Sequence, residues 1–160
     1  MIIKIGVKKT LPELVAYEEV GPGGNESLAL AALGALITSK GAKRNDPGMI
    51  VYIDDRRAPS CRKEVMYPLT EEMPGIKSKT FPGIRTGFIV YKDVENPAEH
   101  YYTILLNYLE RQGLKPMPGG ACTSIEAIFE PDQFSFSDMD FIDEDKPEYY
   151  ETEIMIPVED

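Results

Sequence analysis

The sequence predicts a single α+β domain that contains two copies of a strand–helix–strand–strand unit. Two short motifs recur in the same order in the two halves of the chain. Glu64–Pro68 has a counterpart in Glu153–Pro157, and Val15–Tyr17 has one in Ile89–Tyr91. Each predicted helix also ends in a glycine that is followed two residues later by a lysine. Motifs that repeat in order are typical of a duplicated supersecondary unit, so we predict a β-α-β-β duplication.

The first half begins with an extended segment, Ile2–Val20, that Pro12 interrupts. A turn cluster at Gly21–Gly24 follows it. Asn25 then offers a side-chain cap for an apolar helix, and Gly41 lies in the position that usually terminates one. The sequence therefore predicts a strand region, a turn and a capped helix in that order.

Two strands complete the first half. Met49–Ile53 is a short apolar run that ends at two aspartates, and Arg62–Leu69 is a second run after a proline-containing loop. Alternation along the second run places Glu64 and Met66 on the same face of the sheet. The polar stretch Thr70–Lys79 contains a Pro-Gly turn, and we interpret it as the seam between the halves.

The second half repeats this order. Phe81–Val94 is predicted to be extended, and Asn96–Glu99 is predicted to start a helix with a cap, a proline and a glutamate in the favoured positions. Gly113 ends that helix. A strand near Ser124–Phe129 and a final strand over Tyr150–Val158 complete the prediction.

Length and composition fit one domain over residues 1–160, with repeat one at about 2–70 and repeat two at about 80–158. No apolar run approaches the roughly 20 residues of a bilayer span, and no secretion signal is recognisable, so we expect a cytoplasmic protein without a membrane partner. The formal net charge of −10 argues against direct nucleic-acid binding. An acidic protein attracts cations, including organic ones, although the charge also serves solubility alone.

The sequence gives no reason to expect a metal or another cofactor. Cys61 and Cys122 are isolated thiols without CxxC spacing, and His100 is the one histidine, whereas a structural zinc site needs about four ligands. His100 falls in the first turn of a predicted helix, which disfavours haem ligation. We expect both thiols to be free, as is usual in a reducing compartment.

The motifs of both halves together are similar to those of one known family. The second half carries Tyr102-x-x-Leu105-x-x-Tyr108, then Gly113-Leu114-x-Pro116, Phe129-Glu130-Pro131 and Thr152-Glu153-Ile154-x-Ile156-Pro157-Val158. The first half carries Tyr52-Ile53-Asp54-Asp55 and Glu64-Val65-x-x-Pro68. This pattern resembles the GyrI-like effector-binding domain, which is related to the drug-sensing domains of multidrug-responsive transcription regulators and to the SOUL haem-binding fold. The similarity covers nearly the whole chain.

The resemblance implies an antiparallel sheet with two helices on one face and a ligand cleft near a pseudo-twofold axis. It implies that aromatic rings and a buried glutamate of the last strand, here Glu153, bind amphipathic and often cationic compounds. Family rings on the second helix correspond to Tyr102 and Tyr108. The chain departs from the family in two ways. The family usually has a tryptophan on this helix, where the chain has Tyr108, and the chain contains no tryptophan at all. The loop at Gln133–Lys146 is also unusually long and acidic.

We therefore predict a ligand site in which a carboxylate is surrounded by tyrosine and methionine side chains. The predicted ligand-binding residues are Glu153, Tyr102, Tyr108, Met155, Tyr17, Tyr52, Glu64 and Tyr67. The alternative for the glutamates is a solvated strand position, and the alternative for most tyrosines is core filling with the hydroxyl at the rim. The acidic loop is interpreted as solvated, with a lid over a cationic ligand as its alternative.

Three functions remain open at this level. The first in rank is a stand-alone sensing or sequestering domain for amphipathic, cationic small molecules. The resemblance also implies a hydrolase of cyclopropane-bearing toxins, in which Glu153 activates water and Tyr102 donates a proton. The third is a protein partner that inhibits a larger enzyme such as gyrase through its acidic surface.

Overall fold

Ten elements form the framework of the computed structural model, which describes residues 1–42, 44–93, 95–117, 121–129 and 151–159. In chain order they are β1 (Ile2–Lys9), β2 (Glu13–Val20), α1 (Glu26–Ser39), β3 (Gly48–Tyr52), β4 (Lys63–Pro68), β5 (Ser78–Phe81), β6 (Arg85–Tyr91), α2 (Ala98–Arg111), β7 (Ser124–Phe129) and β8 (Glu151–Pro157). The predicted acidic loop, 133–146, lies outside the described residues. No described helix is long and apolar enough to cross a bilayer.

The eight strands form one sheet in the order β1-β6-β8-β7-β3-β4-β2-β5, and every neighbouring pair is antiparallel. The central pair is β3 with β7. Outward from it the order is β4, β2, β5 on one side and β8, β6, β1 on the other. The predicted α+β class and antiparallel sheet are confirmed.

Both helices lie on the same face of the sheet. Ile50 on β3, Glu126 on β7 and Ile154 on β8 are aligned across the strands, so their side chains point to one face. Ile50 belongs to the apolar cluster beneath α1, and Ile154 belongs to the cluster beneath α2. The space between the two helices therefore opens over the β3–β7 pair.

Helix α1 begins and ends as its sequence predicts. The Asn25 side chain accepts a hydrogen bond from the Leu28 amide at 3.1 Å, which is the expected N-cap. Gly41 follows the helix with a φ of 83°, a conformation that L side chains rarely adopt. Gly113 takes a similar φ of 71° after α2.

The start of α2 differs from the prediction. Its N-cap is Pro97, which makes no side-chain cap, and the helix begins at Ala98. Asn96 instead donates its side-chain amide to Asp93 at 2.8 Å. The Asn96 side chain is therefore hydrogen-bonded within the preceding loop and does not cap α2, which explains why the predicted N-cap was wrong.

The extended segment predicted for residues 2–20, which Pro12 interrupts, is two strands, β1 and β2. The strand β1 pairs with β6, and β2 pairs with β4 and β5. One boundary in the sheet was wrong. The predicted polar seam ends in β5, a four-residue edge strand with only one apolar residue, Phe81. Such a short polar strand is determined by its pairing with β2 rather than by its own pattern.

Candidate functional site

The floor of the groove between the helices carries a carboxyl group. Glu126 projects from β7 on the helix-bearing face, with Ile50 and Ile154 beside it on the two neighbouring strands. The residue is only partly exposed. A carboxyl group between two isoleucines on a helix-covered face is uncommon, because burial penalises its ionised form.

A tyrosine of β3 contacts this carboxyl group. Tyr52 lies two residues beyond Ile50 on the same face, and it is 8% exposed. Its hydroxyl interacts with Glu126 and also with Glu26 at the start of α1. Burial first, and then the charge of Glu126, raise the pKa of Tyr52 far above its ordinary value, so the phenol stays neutral.

A second tyrosine approaches from α2. The Tyr102 hydroxyl donates a hydrogen bond to the Ser124 hydroxyl at 3.1 Å, and Tyr102 is 3% exposed. Ser124 lies on the same face of β7 as Glu126, two residues before it. Burial first, and then the nearby Glu126 charge, raise the pKa of Tyr102. The site therefore holds two neutral phenols and one carboxyl group.

The protonation of Glu126 is sensitive to what stands beside it. Burial raises the pKa of its carboxyl group above the ordinary value of 4.5, and the charge of Glu26 adds to the effect. The Tyr52 hydroxyl and the Arg56 guanidinium act in the opposite direction. A cation brought next to Glu126 would likewise favour its ionised form.

Two cavities lie on either side of Glu126 along β7, bordered by Ser124 and by Ile128, and Glu126 itself is in the wall of neither. The larger, about 370 Å³, lies at the Ser124 end, and its walls include Tyr102 and Leu106 of α2 and Arg56 of the loop after β3. The smaller, about 200 Å³, lies at the Ile128 end. The larger cavity alone is within the volume range of small-molecule sites.

Arg56 covers the ring of Tyr102. Its guanidinium carbon is 3.5 Å from the ring centroid, and its side chain also bonds to the Glu99 carboxylate on α2. The Arg56 side chain is 20% exposed, and that of Glu99 is 52% exposed. A cation thus already occupies one wall of the larger cavity.

The structure places the predicted carboxylate elsewhere. Glu153 is paired with Val90 and Ala127, and its side chain lies on the sheet face opposite the helices. It is 5% exposed and is bonded to Lys8 of β1, whose ammonium group is 4.7 Å from the Phe88 ring centroid. The prediction that Glu153 and Tyr102 share one hollow is therefore wrong, because strand alternation separates them by the thickness of the sheet.

Three more predicted residues lie on that opposite face. Glu64 is bonded to Lys79, whose ammonium group is 4.3 Å from the Tyr17 ring centroid. Met155 is buried in the apolar cluster of the same face, and Tyr17 packs against that cluster. The expected pairing of carboxylate and methionine on one face is confirmed, but the structure does not bring these residues to the groove between the helices.

The remaining predicted tyrosines divide between the groove and the core. Tyr52 and Tyr102 both lie near Glu126 in the groove. Tyr67 is buried beneath α1 and lines the smaller cavity, with the Arg44 guanidinium 5.3 Å from its ring centroid. Tyr108 packs against the cluster beneath α2 and is not in the wall of the larger cavity.

Sequence reasoning missed Glu126. The signal was present in Ser124–Phe129, where a single carboxylate interrupts an otherwise apolar strand. A glutamate inside such a run, on a strand predicted to lie centrally, is a candidate for a perturbed functional carboxyl group. The position of β7 between β3 and β8, which places Glu126 near the centre of the sheet, could not be read from the sequence.

Solved structures share this architecture. The C-terminal domain of EcmrR aligns with a TM-score of 0.70 at 14% identity, over 98% of this chain and 97% of that one. A hydrolase from Listeria innocua aligns at 0.62 and 12%, over 98% and 92%. SAV2435, solved bound to tetraphenylphosphonium, aligns at 0.53 and 10%, over 98% and 94%.

These comparisons establish the fold. At identities of 14% and below they carry no residue from one chain to another. The fold expected from the resemblance to GyrI-like domains is confirmed. No protein-family model matches the sequence. No curated protein matches it at a significant level.

Proposed function

We propose that this protein binds an amphipathic organic cation in the groove between α1 and α2, with Glu126 as the counter-charge. The observation that carries the proposal is a partly buried carboxyl group flanked by Tyr52 and Tyr102 and by two cavities. This assignment replaces Glu153 by Glu126 as the ligand carboxylate and retains two of the predicted tyrosines.

The chemistry of the groove suits a cation with apolar substituents. A buried carboxyl group has lost part of its hydration, so a ligand cation that restores a charge partner is favoured over water. The tyrosine rings add cation–π attraction of about 0.5–2 kcal/mol per contact. The side chains of Leu106 and Ile156 in the larger cavity can cover apolar groups of the ligand.

Two comparisons support the proposal. SAV2435 has this fold and was solved with tetraphenylphosphonium, a lipophilic cation, and the chain covers 94% of that structure. The EcmrR domain has the same fold over its full length. Under this proposal, binding serves to sense or to sequester the ligand.

Tetraphenylphosphonium and tetraphenylborate provide the first test, because they share one shape and carry opposite charges. We expect saturable binding of tetraphenylphosphonium by isothermal titration calorimetry, and much weaker binding of tetraphenylborate. Equal affinity for the two ions would show that Glu126 does not act as a counter-charge. Failure of both ions to bind would argue against the proposed function.

The affinity for tetraphenylphosphonium should rise with pH above about 4.5, the ordinary value from which burial raises the pKa of Glu126. A cation binds the ionised carboxylate, so binding releases a proton wherever the free protein holds Glu126 protonated. Affinity therefore increases with pH and levels off above the raised pKa. Titration in buffers of different ionisation enthalpy measures the released proton.

The phenols of Tyr52 and Tyr102 do not contribute to this dependence, because their raised pKa values keep them neutral throughout. Glu26, which interacts with Tyr52, titrates below its ordinary value and is ionised over the same range. The control is Glu126→Gln, in which the slope should vanish. A slope that persists in this variant would assign the proton to another group.

A hydrolase is the second candidate, and the contact between Tyr52 and Glu126 favours it. In its ionised form, a carboxyl group with a raised pKa is a stronger base that can take a proton from water, and a neutral phenol beside it can donate one to a leaving group. In that case Glu126 and Tyr52 replace the predicted Glu153 and Tyr102. Repeated turnover of an electrophilic cyclopropane compound would establish catalysis, whereas capture of one equivalent per chain would exclude it.

A further inference from the structure

The guanidinium of Arg56 occupies the surface that a ligand cation would use. It stacks on the Tyr102 ring at 3.5 Å from the centroid, which is contact distance for a planar cation on an aromatic face. Both residues are in the wall of the larger cavity. A ligand cation and the Arg56 guanidinium cannot both lie on the ring face that Arg56 covers.

The same guanidinium also acts on the carboxyl group of the groove. The positive charge of Arg56 lowers the pKa of Glu126 and partly offsets the effect of burial. Arg56 therefore supplies, from within the chain, both kinds of interaction that the proposed function assigns to a ligand cation: stacking on Tyr102 and a positive charge that acts on Glu126.

We infer that Arg56 is an internal cation that competes with the ligand for the Tyr102 ring and for the charge of Glu126, and that it thereby sets the affinity and charge selectivity of the groove. The inference rests on the proposed function and names a specificity-determining residue for it. A ligand binds by displacing the guanidinium into solvent.

The surroundings of Arg56 allow the side chain to leave while the loop stays in place. Asp54 and Arg62 close the base of the loop through two side-chain hydrogen bonds of 2.8 and 2.9 Å and a third from the Arg62 amide at 3.1 Å. The only hydrogen bond that the described residues give the Arg56 guanidinium is with Glu99, whose side chain is 52% exposed. Exposed ion pairs contribute little, so the main cost of rotating the arginine side chain away is the loss of its contact with the Tyr102 ring.

Removal of the competitor should tighten binding. At about pH 8, Glu126 is expected to be ionised. There we expect Arg56→Gln to bind tetraphenylphosphonium about tenfold more tightly than the wild type. In the wild type the ligand must first break the cation–π contact between Arg56 and Tyr102, and the free energy of one such contact corresponds to about that ratio. Tetraphenylborate binding should weaken or stay undetectable. The matched control is Arg111→Gln, which removes the same charge from the exposed last turn of α2 and should leave affinity unchanged.

The Nε–Hε resonance of Arg56 gives a test in the unaltered protein. Stacked on Tyr102, this group should show a ring-current shift, and saturation with tetraphenylphosphonium should move it to the position of a solvated arginine. Unchanged or weaker binding in Arg56→Gln, or a resonance that stays shifted in the saturated complex, would overturn the inference while leaving the proposed function in place. Absence of binding in both the wild type and the variant would overturn the two together.

Discussion

Glu126→Gln is expected to weaken tetraphenylphosphonium binding about 30-fold at neutral to alkaline pH. Glutamine keeps the shape and a hydrogen-bonding group for Tyr52 but removes the negative charge. Loss of one partner of a desolvated charge pair costs about 2 kcal/mol or more, which corresponds to this ratio. Isothermal titration calorimetry measures it directly, and the apolar contacts with the cavity walls leave residual binding.

The matched control for this change is Glu153→Gln. Glu153 is a glutamate of β8 with 5% exposure, but it is on the opposite face and is bonded to Lys8. Its substitution should leave affinity within about twofold of the wild type. If Glu153→Gln abolishes binding and Glu126→Gln does not, the ligand site is on the face away from the helices.

Lys8→Met is expected to destabilise the fold by about 2 kcal/mol. The substitution leaves the Glu153 carboxylate buried without its cation and also removes the ammonium group from the Phe88 ring. Breaking a fully buried pair costs about 3–5 kcal/mol, and the smaller figure reflects the 39% exposure of the Lys8 side chain. Urea unfolding followed by circular dichroism gives the free energy of unfolding.

Two further variants test whether the expected loss of stability in Lys8→Met comes from the broken ion pair. Lys9→Met makes the same substitution at the next, exposed residue of β1 and should cost less than about 0.5 kcal/mol. The double variant Lys8→Met/Glu153→Gln should recover much of the stability, because the unpaired charge is gone. Equal unfolding free energies for Lys8→Met and Lys9→Met would mean that the ion pair does not stabilise the protein.

Local signals predicted much of the fold. The cap at Asn25 and the terminating glycines Gly41 and Gly113 depend on backbone chemistry within a few residues, so the sequence alone determines them. The alternation that separates Glu153 from Ile154 is equally local and correct. The pairing partners of β1 and the strand character of β5 depend on distant residues and could not be predicted from local pattern.

Of the residues that form the candidate site, the sequence singled out the two tyrosines but not the carboxyl group. Tyr52 and Tyr102 were chosen because the motifs pointed to them, and they meet at the groove. Glu126 was missed because its importance depends on β7 lying at the centre of the sheet beside β3, which only the three-dimensional arrangement shows. Glu153 was chosen by resemblance to a motif in the last strand, and the motif did not specify which face of the sheet lies under the helices.

The register of the two central strands has a consequence for stoichiometry. Ile50 and Glu126 are directly opposite each other where β3 meets β7. At this pair, β7 carries a carboxyl group and β3 carries a hydrocarbon side chain. A guest with a single positive end can therefore dock in only one sense, and a titration should saturate at one equivalent per chain.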